Sequence, residues 1–161
     1  MSSAPTRSLL SPLCVAALFG GIQDPPKPPP AKAKVTYVLV VNAKNAVTET
    51  GDAAKAVVKK LFLKDLTQWP DGTEAKPYRR PDGTSIQDAF LASVLGMSSS
   101  ELARHWLRLK SQDGTTPPKE VDTDRMVLKY VARTEGAFGI VPKDAVRDVE
   151  GVRVLFEFLG S

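Results

Sequence analysis

Val35-Thr36-Tyr37-Val38-Leu39-Val40-Val41 is a near-continuous run of apolar, β-favouring residues. A strand with one wet face alternates apolar and polar residues. A run without a polar face reads as an interior strand covered on both sides. That predicts an α/β fold in which helices lie above and below a sheet. Asn42-Ala43-Lys44-Asn45 follows as a loop. In open α/β sheets ligands sit beyond the carboxyl ends of strands, which makes Asn42 and Asn45 candidates for a site.

Downstream, a helix is predicted from Asp52 through Ala56, Val57, Leu61 and Phe62, with its lysines outward. Asp65 to Trp69 makes a short turn with Leu66 and Trp69 tucked in, and Trp69-Pro70-Asp71-Gly72 closes it. Lys76 to Arg80 reads as a second strand. Pro81-Asp82-Gly83 then breaks the chain, because proline fixes φ and glycine tolerates positive φ. Thr84 or Ser85 is placed to cap a helix whose apolar side carries Ile86, Ala89, Phe90 and Val94. Gln87 after Thr84, or Asp88 after Ser85, completes a capping box in either register. An arginine, hydroxyls and free helix-start amides together have the parts of an anion site.

That helix stops at Leu95-Gly96, and Ser98 with Glu101 opens the next with a second capping box. Leu102, Trp106 and Leu109 mark its buried side, with His105 as a surface or half-buried packing residue. A polar loop over Ser111 to Lys119 leads to a helix capped by Asp122 and running through Met126, Val127, Tyr130 and Val131. Ala137-Phe138-Gly139-Ile140-Val141 is a strand whose glycine signals close backbone approach. In the last strand Val152, Val154, Phe156 and Phe158 alternate with Arg153, Leu155 and Glu157, giving one strongly apolar face.

The chain has 161 residues, 42% hydrophobic and 25% charged, the size and composition of one globular domain. Its net charge of +4 is dispersed over helix faces without interleaved exposed aromatics, so no nucleic-acid partner is expected. Cys14 is the only cysteine, which excludes an intrachain disulfide. It lies in an apolar run from Leu9 to Phe19, after Arg7 and before Gly20-Gly21. This is the layout of a secretory signal, expected over residues 1–21, with cleavage between Ala17 and Asp24 and no stable membrane span afterwards. Residues 22–34, with Asp24-Pro25-Pro26-Lys27-Pro28-Pro29-Pro30, read as an extended proline-rich linker. Residues 35–161 form the folded domain, placed in the periplasm or otherwise outside the cytoplasm. No nucleophile–base pair, metal-ligand cluster or glycine-rich nucleotide loop is legible, so neither catalysis nor a cofactor nor a metal is expected.

Several stretches, taken as an ordered set, resemble one lobe of the periplasmic phosphate-binding proteins of ABC importers. They are Val40-Val41-Asn42, Leu61 to Trp69, Arg80 to Phe90 with Val94-Leu95-Gly96, Trp106, and Tyr130-Val131-Ala132-Arg133-Thr134-Glu135-Gly136-Ala137-Phe138-Gly139-Ile140-Val141. The resemblance implies a three-layer α/β sandwich with a central mixed sheet, equivalent to the second of two lobes that close on an oxyanion. In that family the arginine stretch reads Arg-x-Asp/Glu-Gly-Ser-Gly-Thr. Arg80, Asp82, Gly83 and Thr84 match it, whereas Ser85 stands at the glycine and Ile86 at the threonine. The implied ligand-binding set is Arg80, Asp82, Gly83, Thr84 and Ser85, with phosphate or a similar small oxyanion as ligand. A lone lobe offers half a site, so a protein partner or a second copy is expected to complete it. The other open reading is an interaction or structural module that keeps the lobe fold without a ligand.

Overall fold

The computed structural model describes residues 34–160. The expected signal, Cys14 and nearly all of the proline-rich linker lie outside the described residues. Among the described residues five strands and four α-helices follow in the order β1 (Thr36–Asn42), α1 (Gly51–Phe62), β2 (Lys76–Arg79), α2 (Ser85–Phe90), α3 (Ser99–Asp113), β3 (Lys119–Glu120), α4 (Asp124–Arg133), β4 (Ala137–Pro142) and β5 (Val152–Leu159). The sheet order is β3-β2-β4-β1-β5. β2 is parallel to β3 and β4, while β1 is antiparallel to both β4 and β5, so the sheet is mixed.

The apolar run forms the strand expected of it. Tyr37, Leu39 and Val41 face a core shared with α1, α2 and α3, where Phe62, Phe90, Leu102 and Trp106 meet. Val38 and Val40 face Val127, Leu128 and Val131 of α4 on the other side. The result is the expected three-layer α/β sandwich, with helices on both faces of β1. Gly139 earns its place on β4: a Cβ there would lie 2.6 Å from Val127 Cγ1, so the missing side chain lets α4 settle onto the sheet. Trp69 is buried edge-on against Phe138, and its indole N–H donates to the Gly136 carbonyl at 2.9 Å.

Local details depart from the sequence reading. Leu66 is exposed rather than tucked in, because the turn is anchored through Trp69 instead. Ala56 points outward, and α1 buries Ala54, Val58, Leu61 and Phe62. Thr123, not Asp122, caps α4, its hydroxyl accepting from the Met126 amide at 3.3 Å. That register places Val127, Leu128 and Val131 against the sheet. α3 continues through Asp113, part of the stretch read as loop, and stops at Gly114 in the left-handed conformation. β5 does not alternate strictly. Its pairing with β1 shifts register between Leu39 and Val40, so Leu155 and Phe156 are consecutive buried residues and Val154 is exposed. An inserted residue of this kind bends the strand and breaks its two-residue period.

Candidate functional site

β2, β3 and β4 run in parallel, so their carboxyl ends lie along one edge of the sheet. α2 and α4 both begin there, directly after β2 and β3. Arg79 ends β2 at this edge and Arg80 follows it, and the two pair with different carboxylates. Arg79 is half-buried, paired with Asp82 at 3.1 Å and with Glu120 of the neighbouring strand. Arg80 turns inward and is only 8% exposed.

The chain then turns through Pro81-Asp82-Gly83, with Gly83 at φ +79° as the sequence requires. Thr84 occupies the N-cap position of α2, yet its hydroxyl donates back to the Pro81 carbonyl at 2.7 Å and caps no helix amide. The capping box expected here does not form. Gln87, its other half, is fully buried, and its Oε1 accepts from the Arg80 backbone amide at 3.1 Å. Ile86, beside it, is buried with Phe90 in the core. α2 runs without interruption into a π-helical turn over Leu91–Leu95 and ends at Gly96 in the left-handed conformation. The amides of Ser85, Ile86 and Gln87 precede its first backbone bond, from Asp88 N–H to the Thr84 carbonyl.

The Arg80 guanidinium is the centre of the arrangement. Its Nη2 lies 3.1 Å from Asp124 Oδ1, at the first residue of α4. The two charges are in ion-pair range but not aligned as a hydrogen bond, since Asp124 Oδ1 has no hydrogen-bond partner. Arg80 Nε and Nη1, and Gln87 Nε2, are buried donors with no acceptor. Such orphaned donors are uncommon, and each costs about 1–3 kcal/mol. Asp124 also lines a groove of about 510 Å³ floored by Leu128, Ala132, Ala145 and Val149.

The predicted residues therefore fall into two groups. Arg80, Asp82, Gly83, Thr84 and Ser85 are neighbours in one turn at the edge where α2 and α4 start. Asn42 and Asn45 are not with them. β1 runs against β4, so its carboxyl end lies at the opposite edge of the sheet. There Asn42 Nδ2 donates to the carbonyls of Val131 and Ala132, at 2.8 and 3.0 Å, and satisfies the last turn of α4. Asn45 is buried and accepts from the Val47 amide, while Arg153 clasps the same loop through the Asn45 and Val47 carbonyls. Sequence reasoning missed Asp124 and the inward turn of Gln87. The only signal for either was an acidic residue in a helix's first turn and a glutamine three residues beyond a threonine.

Among the described residues no cluster of His, Cys, Asp and Glu could hold a metal ion. No helix among them is long and apolar enough to cross a membrane.

No family model matches this chain, and no curated protein matches it in sequence. Solved structures do. An ABC-type phosphate transport receptor from Vibrio cholerae superposes with a TM-score of 0.56 at 16% identity, over 76% of this chain and 46% of that one. PstS from Borrelia burgdorferi gives 0.56 at 8% identity, over 76% and 47%. A Clostridium perfringens protein, assigned as a phosphate ABC transporter substrate-binding protein and solved with bound phosphate, gives 0.51 at 16% identity, over 80% and 56%. The chain thus spans about half the length of the structures it matches. At these identities the likeness establishes the fold, that of one lobe of the phosphate-binding proteins.

Proposed function

We propose that this lobe is a non-catalytic, extracytoplasmic module that binds phosphate or a similar small oxyanion at Arg80, as one half of a site. The observation that carries the reading is the Arg80 guanidinium, buried at the carboxyl edge of the sheet with Nε and Nη1 lacking acceptors. A guanidinium stays charged at any physiological pH, and its planar fork matches two oxygens of a tetrahedral anion. An anion that accepted from those donors would remove the cost of burying them. The Gly83 turn, the Ser85 hydroxyl and the helix-start amides of α2 follow Arg80 in the chain. Likeness to structures that include a phosphate-bound protein supports the ligand class. The apolar Leu9–Phe19 run supports export.

One lobe forms one wall. Apart from the buried Arg80 donors, the contacts this wall can offer, at Gly83 and Ser85, are exposed; such contacts compete with hydration and each contributes roughly 0–1 kcal/mol. Three such contacts leave affinity at about millimolar or weaker. A second copy or another protein is the proposed source of the opposite wall. A second reading, a module that has kept the fold without the ligand, is favoured by one observation. The Thr84 hydroxyl is engaged by Pro81 rather than free for an anion.

Titrating inorganic phosphate at constant ionic strength, while following backbone amide shifts, separates the two. The expected result is saturable shifts over Gly83 to Ile86 that disappear in Arg80→Ala. Shifts spread evenly over all lysines and arginines, and unchanged in Arg80→Ala, would be screening alone and would leave the ligand-free reading.

A further inference from the structure

We propose that Asp124 is a built-in counter-anion of Arg80 which an incoming oxyanion must displace, so that this carboxylate sets the affinity of the site. The inference rests on the oxyanion reading above and adds its control element.

The guanidinium has two forks able to grip an anion through two parallel bonds, Nε with Nη2 and Nη1 with Nη2. Nη2 belongs to both. It is Nη2 that Asp124 Oδ1 approaches, at 3.1 Å. The carboxylate therefore stands beside either fork, and the donors left without acceptors are the two outer ones, Nε and Nη1. An oxyanion on either fork lies within a few ångströms of the Asp124 charge, a separation at which like charges repel strongly. It cannot use a full fork while that carboxylate stays in place.

The pair is also built to be exchanged. Asp124 Oδ1 is close to the guanidinium but makes no aligned hydrogen bond, so much of the attraction open to a bidentate pair is not realised. Arg80 is buried, whereas the Asp124 side chain is 38% exposed and has water to move into. Asp124 is the first residue of α4, where the positive end of the helix keeps a carboxylate stable after release. Removing either partner of a firmly locked buried pair leaves a charge uncompensated. Here an oxyanion is itself the compensation.

The test compares the full chain with Asp124→Asn, in parallel with the double variant Asp124→Asn/Arg80→Gln, using inorganic phosphate against chloride at matched ionic strength. Asp124→Asn is expected to melt lower than the parent in chloride and to recover in phosphate. It should bind phosphate at least tenfold more tightly than the parent. Both effects should vanish in the double variant, and Asp124→Asn/Arg80→Lys, which keeps the charge without the fork, replaces that variant should glutamine fail to fold. Recovery of Asp124→Asn through Arg80 supports the proposal even where parental binding is too weak to measure. If the parent binds through Arg80 and Asp124→Asn binds no more tightly, Asp124 is not a competitor and the oxyanion reading stands alone. If neither protein binds through Arg80, both fall together.

Discussion

Asn42 shows how one carboxamide ties two layers together. Its Nδ2 closes the last carbonyls of α4, and its Oδ1 accepts from the Lys44 amide at 2.9 Å. Asn42→Ala would strand these groups at a buried junction, at a cost of about 2–3 kcal/mol. Urea denaturation should give a lower midpoint with an unchanged slope, and a midpoint equal to the parent's would remove Asn42 from this role. The sequence suggested Asn42 as a ligand residue because it follows an apolar strand. That rule depends on strand direction, and an interior apolar run reads the same whether its neighbours are parallel or antiparallel. Arg80 was legible for a different reason. It precedes a proline–glycine turn and a helix start, a local arrangement that fixes its own geometry. What it pairs with was not legible, since Asp124 comes from a distant helix.

At the scale of elements, α2 and α3 carry the same kind of capping sequence with opposite outcomes. In α3, Ser98 Oγ accepts from the Glu101 amide while Glu101 Oε2 accepts from the Ser98 amide at 2.7 Å. In α2 the glutamine is drawn inward to Arg80 and the box is lost. Capping rules see only local bonds, and burial of Gln87 under the β2 turn outweighs them. Ser98→Ala should destabilise by about 1 kcal/mol in thermal or urea unfolding. Thr84→Ala should not show a comparable cap loss. The Ser98 amide, and then its hydroxyl, hold the Glu101 carboxyl below the ordinary glutamate range. A depressed folded value means that the stabilisation is present above the unfolded value of about 4.3 and is lost as pH falls through the folded one. The stability gap between the parent and Glu101→Gln should therefore be present at neutral pH and close on acidification, as followed by urea midpoints across pH. A gap that widens on acidification would contradict the sign. The bulge in β5 was hidden for a similar reason, because register belongs to a pair of strands and not to either alone.

At the scale of the molecule, everything converges on β1. Val38 has no exposed surface and lies between the sheet and α4. Val38→Asp places an unpaired charge there and should cost several kcal/mol, enough to unfold the domain or to bring its melting temperature down sharply. A variant that melts with the parent would mean the sandwich is not built on this strand. The layer architecture was legible because an apolar run without a wet face has few other solutions. The strand order was not, because β1 finds its partners at the far end of the chain.

That separation has a consequence in time. Thr36 pairs with Leu159, and Tyr37 with both Phe158 and Pro142, so the most apolar strand closes loops of more than a hundred residues before it gains a neighbour. Long loops must be closed before their contacts repay the lost entropy, which places refolding in roughly the millisecond-to-second range typical of non-local sheets. On a ribosome the order is harsher still. Of the five strands described, β1 is made before the others, and its two neighbours in the sheet, β4 and β5, are the last of the five to follow, so its apolar edges stay unpaired in the meantime.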